Sequence, residues 1–304
     1  MTPPIANRGV GGYLTDARAR VDAVLARWGE RSDGLWPPAV AGAMRYSLLS
    51  AGKRLRPTLV FACADAVGGA APAVAELAAA IEVVHAYSLV HDDLPCMDND
   101  DLRRGRPTTH RAFDVPTATR AGYHMVALAA AVLAHGMEAL GLPAERRRAI
   151  ALELFRAAGA GGMIGGQALD LAAEGQALPL ERLEDVHGRK TGALIAASCA
   201  IGGLAAGAPA HVAAALRAYG IHVGLAFQIY DDVLDATATS AELGKTAGKD
   251  AARAKSTFVT LGGVGAARAE AERLAALAVD QLRAAGLVSP VLVALAHYIV
   301  TRPN

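Results

Sequence analysis

Apolar positions recur along most of this chain in long Ala/Leu-rich runs, and glycine and proline fall mostly between the runs. Alternating Val, Ile and Thr patterns of strand type are nearly absent, so period and propensity both predict helices. The runs place them at Tyr13–Arg31, Pro38–Leu49, Arg56–Val67, Ala73–Leu94, Ala118–Leu140, Ala144–Ala160, Pro179–Ala200, Ala208–Leu234, Ala266–Ala285 and Pro290–Arg302. Breaks cluster at Gly68–Pro72, Pro95–Pro116, Gly141–Pro143, Gly202–Pro209 and Thr237–Ser256. No short-period repeat and no interdomain linker interrupts this pattern. The expectation is a single all-α domain over 1–304, its helices surrounding a central cavity, after a flexible leader over 1–12.

Composition narrows the function classes. With 53% apolar and 19% charged residues, a sizeable core can be buried. The net charge of +1 lacks the basic footprint of a nucleic-acid binder, so any anion site must be built by local clustering. Cys63, Cys96 and Cys199 lie far apart and suit a reducing, cytoplasmic setting rather than a disulfide framework. Met1–Thr15 has no apolar run of the signal-peptide kind. Gly192–Leu216 has no Asp, Glu, Lys or Arg and is long enough to cross a bilayer. It is mostly Ala and Gly and contains Pro209 and His211, so two buried helices joined near Gly207–Pro209 explain it better than a membrane span.

Two acidic clusters stand out. In Phe227-Gln-Ile-Tyr-Asp-Asp-Val-Leu-Asp235, Gln228, Asp231, Asp232 and Asp235 fall at i, i+3, i+4 and i+7, on one helical face among apolar neighbours. Carboxylates there repel each other and lose hydration, a conflict that a divalent cation removes. Tyr87-Ser-Leu-Val-His-Asp-Asp-Leu-Pro-Cys-Met-Asp98 carries Asp92, Asp93 and Asp98. Asp92 and Asp98 would diverge on an unbroken helix, but Pro95 ends or kinks it near Leu94 and lets the chain turn Asp98 back. Oxygen ligands without a His/Cys set point to Mg²⁺ rather than Zn²⁺.

Cations lie near these clusters. Gly52-Lys-Arg-Leu-Arg-Pro57 packs three at an expected helix start, where free N–H groups also favour anions. Leu102-Arg-Arg-Gly-Arg-Pro107 follows the first acidic cluster, and Arg suits bidentate phosphate contacts. Lys190-Thr191-Gly192 and Leu243-Gly-Lys-Thr-Ala-Gly-Lys-Asp250, with Lys255 beyond, add further sites. The last resembles the tail of a P-loop, but the first glycine and a preceding strand are missing, so nucleotide binding is discounted.

The stretch from His85 to Pro107 closely resembles the first aspartate-rich region of trans-isoprenyl (polyprenyl) diphosphate synthases, in particular the bacterial short-chain farnesyl and geranylgeranyl diphosphate synthases. Gly52–Pro57, Gly165-Gly-Gln-Ala-Leu-Asp-Leu171, Lys190–Gly192, Phe227–Asp235 and Leu243–Asp250 match further family blocks in order, and the likeness runs from about Leu49 to Tyr298-Ile-Val-Thr-Arg302. It implies the all-α isoprenoid synthase bundle and a cytoplasmic homodimer. Asp92, Asp93, Asp98, Asp231, Asp232 and Asp235 would be the ligands of Mg²⁺, about three ions with diphosphate bound. Arg103, Lys190, Thr191, Gln228 and Lys245, with Lys255 beyond, match positions for the allylic diphosphate. Lys53, Arg56, His85 and Arg104 match the isopentenyl diphosphate pocket, and Gln167 and Asp170 match polar positions lining the reaction cavity. The resemblance also implies ionisation of the allylic C–O bond, attack by the isopentenyl double bond, and loss of a proton to the released diphosphate.

Tyr87 and Ser88 precede Asp92 by about one helical turn and would face the cavity floor. A bulky Tyr87 there stops growth early, near farnesyl diphosphate by family resemblance, with geranylgeranyl diphosphate the alternative product. Two departures stand out: Tyr123 in Ala121-Gly122-Tyr123, where the family often has Ala-Gly-Asp, and Phe258-Val259, where it often has Tyr-Pro. A class I terpene cyclase would carry Asn, Ser and Glu in its second metal motif and needs no isopentenyl pocket. A non-catalytic partner subunit would be expected to have a damaged acidic cluster, and both clusters are intact.

Overall fold

The computed structural model describes residues 9–69, 71–237 and 256–302. A long apolar run without a polar face has to be surrounded by protein. Val74–Asp92 meets that condition as helix α4, which packs against α1 (Gly9–Arg31), α2 (Pro38–Leu48), α3 (Leu55–Ala66), α6 (Val115–Ala139) and α10 (Ala193–Ala205). Leu77, Ile81 and Val83 are fully buried in this half of the core. The carboxylates α4 takes inside are paired: Glu76 accepts from Trp28 Nε1 at 2.8 Å and from Arg27, and Glu82 accepts from Arg54 at 2.7 Å.

A second core is built on α11 (Ala210–Thr237), which lies between α10 and α12 (Phe258–Ala284), with α13 (Pro290–Thr301) closing against α11 and α3. The remaining helices are α5 (Thr109–Ala112), α7 (Ala144–Ala158), α8 (Met163–Ala172) and α9 (Leu180–His187). Helix starts follow local chemistry. Asp114 caps α6 through Thr117 N at 2.6 Å ahead of Pro116, Ser289 precedes Pro290 of α13, and Thr257 with Thr260 forms a capping box on α12.

The all-α expectation holds, with local differences. Helix α1 begins at Gly9, inside the span expected to be leader. The expected Pro179–Ala200 helix is α9, a wider π-type turn over Gly188–Gly192, and α10. Helix α8 was not expected, because its glycine-rich start has low helix propensity. Helix α12 starts at Phe258 rather than Ala266 and bends at Gly263 (φ 80°, ψ 163°). A short antiparallel hairpin, β1 (Leu102–Arg103) with β2 (Arg106–Pro107), sits in the expected Pro95–Pro116 break. Gly192–Leu216 does divide into two helices, turning at Gly207 with φ 87°. Helices α4 and α11 are long and apolar enough to cross a membrane, but 78% of the α4 window is buried within the protein, as befits a core helix.

Candidate active site

Helix α4 stops at Asp92 because Pro95 has no N–H to continue the ladder and its ring would clash with a carbonyl one turn back. The chain then curls over the helix end: Asp98 N donates to the Asp92 carbonyl at 2.8 Å, and Asp100 N to that of Asp93 at 3.2 Å. Asp98 therefore returns beside Asp92, as Pro95 led us to expect. The adjacent carboxylates differ sharply. Asp93 is buried and gripped by Arg103 of β1, through Nε at 2.8 Å and Nη2 at 2.6 Å to the same oxygen. Burial, then the charges of Asp98 and Asp93, push the Asp92 carboxyl up to about 7, against the opposing pull of Lys190 and Arg103. Burial and two neighbouring carboxylates outweigh the cations already beside it, and a hard divalent cation would reverse that balance.

In the second cluster Asp231 points to the C-terminal end of the chain, where Arg302 donates to its carboxylate. Arg302 is almost wholly buried, with its guanidinium carbon 4.1 Å from the Phe227 ring centroid and 5.2 Å from that of Tyr230. It also donates to the Ile299 carbonyl, and to that of Phe227 at 3.3 Å. Asp232 turns elsewhere. It is buried, accepts from Phe258 N at 3.1 Å at the start of α12, and lies 3.7 Å from His187 Nε2. The His187 ring stacks on Phe258, with centroids 5.8 Å apart. The three keep the expected face of the unbroken helix, but adjacent residues are rotated by about 100°, so Asp231 and Asp232 at its two edges reach different partners. Asp231 and Asp235 keep the shared line, while Asp232 anchors a helix junction.

The π-type turn joins the two clusters. Lys190 on it donates to Asp170 of α8 at 2.7 Å, and Asp92 and Asp98 lie near enough to act on its charge. Its neighbour Thr191 donates to Gln228 Oε1 on α11 at 2.9 Å. Gly166 of α8 allows this approach, since a Cβ there would lie 2.2 Å from Lys190 N. Gln167, next in sequence, is buried, and neither of its amide atoms has a hydrogen-bond partner among the described residues. Two polar atoms so placed are costly unless a ligand or water meets them.

Of the three cations expected at the start of α3, only two remain for an anion. Arg54, in a left-handed conformation (φ 50°), turns into the core to Asp22 at 2.8 Å and Glu82 at 2.7 Å. Arg56 keeps a buried Nε without a partner among the described residues, and burial with the Arg104 charge lowers its pKa. Burial, then Arg56 and Arg104, hold His85 well below its usual range, so it is neutral. Lys53 is lowered by burial and by Arg302. Arg104 reaches the Ala51 carbonyl at 2.6 Å. A cavity of about 30 Å³, large enough for about one water, lies among Ser50, His85, Asp93, Arg103 and Arg104. Cations that depress one another's pKa form an electropositive recess suited to an anion.

Tyr87 and Ser88 are both buried one turn before Asp92, and burial with the Asp92 charge pushes the Tyr87 phenol up to about 12. Lys245 and Lys255 lie outside the described residues. Among the described residues, no group of three or more His, Cys, Asp or Glu forms a ready-made metal cage. The donors of the two clusters are all carboxylate oxygens, a set that suits Mg²⁺, which takes one or two carboxylates and completes its shell with water and phosphate. A larger, apolar cavity of about 670 Å³ lies between α12 and α13, lined by Val10, Leu282, Val288, Val293 and Tyr298, and contains no residue of either cluster.

Arg302 has no role in the sequence motifs, yet its signal is there: it is the one Asp, Glu, Lys or Arg in Pro290–Arg302.

Comparison with known proteins gives consistent results. A family model described as polyprenyl synthetase matches residues 37–290. A chloroplastic geranylgeranyl pyrophosphate synthase of Catharanthus roseus is 41% identical over 294 residues, covering 94% of this chain and 78% of that relative. The crystal structure of an apo FPP/GFPP synthase from Zymomonas mobilis superposes with a TM-score of 0.82 at 35% identity, covering 96% of this chain and 99% of that one. A geranyltransferase of Helicobacter pylori, crystallised with magnesium and isoprenyl diphosphate, gives 0.76 at 31% identity, covering 95% and 96%.

Proposed function

This chain belongs to the polyprenyl synthetase family and is a short-chain trans-prenyltransferase; from that premise we propose that it condenses isopentenyl diphosphate with dimethylallyl and geranyl diphosphates, in a Mg²⁺-dependent reaction that ends mainly at farnesyl diphosphate. The observation that carries this reading is the joining of the two acidic helix ends by Lys190 and the Thr191–Gln228 hydrogen bond, with Lys53, Arg56, His85 and Arg104 forming a separate cationic recess alongside.

We assign Asp92, Asp98, Asp231 and Asp235 as the carboxylates that would hold Mg²⁺, with Asp93 and Asp232 supporting them through Arg103 and Phe258. When bound, Mg²⁺ supplies positive charge to the departing allylic diphosphate. Lys190 and Arg103 add fixed charge there, with Lys245 and Lys255 assigned to the same role by resemblance. The hydrogen-bonded oxygens of Thr191 and Gln228 would offer negative dipole ends to the positive charge that develops on the allylic carbon. Lys53, Arg56 and Arg104 hold the isopentenyl diphosphate, and neutral His85 offers a hydrogen bond without repelling its cationic neighbours. Gln167, whose amide has no partner among the described residues, is suited to meet substrate or water in the cavity.

Buried Tyr87 supports the farnesyl product, with Ser88 beside it on the same turn. The name of the Catharanthus roseus relative favours geranylgeranyl diphosphate as the second reading. We also assign the chain to a homodimer: Tyr123 and Val126 of α6 and Leu152 and Phe155 of α7 are exposed apolar side chains that a second copy would cover. Three free cysteines suit a reducing, cytoplasmic setting. The test is Mg²⁺-dependent incorporation of isopentenyl diphosphate into extractable prenyl products by the purified chain; no incorporation rejects the reading.

A further inference from the structure

Helices α4 and α6 meet at a stack of three rings. His91, immediately before Asp92, stands edge-on to Tyr87 of its own helix, with ring centroids 5.9 Å apart and planes at 76°. Its other side meets Tyr123 of α6 at 5.3 Å and 77°. His91 Nε2 lies 3.1 Å from the carbonyl oxygen of Thr119, so this nitrogen carries the proton and donates it. Gly122 makes room for the ring, since a Cβ there would lie 2.0 Å from Nε2. Tyr87 is 6% exposed and Tyr123 66%, so the stack runs from the interior to the outer face of α6.

We propose that His91 and Tyr123 form a second layer behind Tyr87 and are specificity-determining residues for product length. The inference rests on the reading of Tyr87 as the end of the tail cavity. A prenyl tail that outgrows that cavity has to displace the Tyr87 ring, and His91 stands in contact with it. His91 is held by Thr119 and Gly122 and backed by Tyr123, so a shift of the first ring toward α6 moves the second. Where the family often has aspartate, this chain has the third ring of the stack. Tyr123 thereby turns a departure from the family pattern into a feature of this enzyme's product choice.

The test is the product distribution from isopentenyl and dimethylallyl diphosphates with Mg²⁺, measured as the ratio of C20 and longer products to C15 at equal total incorporation. Parent, Tyr87→Ala, His91→Ala, Tyr123→Ala and Tyr123→Phe are compared. An edge-to-face ring pair shifts a two-way partition by about two- to tenfold. The proposal predicts that His91→Ala and Tyr123→Ala each raise the ratio by about that factor, Tyr87→Ala raises it further, and Tyr123→Phe keeps the parent ratio. A change of packing alone would lower the melting temperature without changing the ratio. If Tyr87→Ala lengthens the product while both other alanine variants keep the parent ratio, the second layer is overturned and the Tyr87 reading stands. If Tyr87→Ala leaves the distribution unchanged, both fall. Should His91→Ala fail to fold, the Tyr123 pair decides alone.

Discussion

Arg302, 71 residues beyond Asp231 in sequence, reaches back to place its guanidinium on the Asp231 carboxylate. The last described residue thereby sets a fixed positive charge against the second acidic cluster. Arg302→Leu removes this pair and the bonds to the Ile299 and Phe227 carbonyls. Because Asp231 is 41% exposed and can be rehydrated, we expect a moderate loss of stability, about 1–3 kcal/mol. Urea unfolding checks this.

Asp92 makes the metal-free protein respond to pH. Its carboxyl, raised to about 7 from a usual 3.8, binds a proton more tightly in the folded state than in the unfolded one. Its contribution therefore favours folding at low pH and is lost as pH rises through 7. In chelator, Asp92→Asn should be more stable than the parent at pH 8, with the difference shrinking as pH falls and vanishing below about 4. Thermal melts across that range test it, and a difference that grows on acidification contradicts it.

Gly166→Ala would drive a Cβ into the backbone at Lys190. Separating α8 from the π-type turn should cost about 1–3 kcal/mol and loosen the Lys190–Asp170 pair. Denaturation curves measure the first effect, and a lower kcat accompanies the second.

Asp232 accepts from the first amide of α12, a bond that Asn can also accept. Asp232→Asn should keep the parent melting temperature to within a few degrees, whereas Asp232→Ala should lose about 1–2 kcal/mol, the scale of a lost helix cap. Equal melting temperatures in the two variants would remove the anchoring role.

Much of this was legible in the sequence because it is local. Helix positions follow from runs of Ala and Leu, the return of Asp98 from Pro95 alone, and the cationic neighbourhoods from their Gly/Pro boundaries. What escaped depends on partners distant in sequence. Arg54 looks like its neighbours Lys53 and Arg56 until Asp22 and Glu82 draw it inside. Asp232 looks equivalent to Asp231 until Phe258 and His187 arrive from later and earlier segments. Helix α8 forms against its weak local propensity because its glycines fit closely against the backbone of Ala160 and Lys190.

The most direct measurement of the central claim is the steady-state rate of prenyl product formation from isopentenyl and dimethylallyl diphosphates with Mg²⁺, for the parent, Asp92→Ala and Asp231→Ala, each confirmed folded by circular dichroism. The two-cluster account predicts C15 as the main parent product and a loss of about a hundredfold or more in turnover for each variant, on the scale of removing preorganised charge from a transition state. Near-parent rates in either variant, or no prenyl product from the parent, would contradict it.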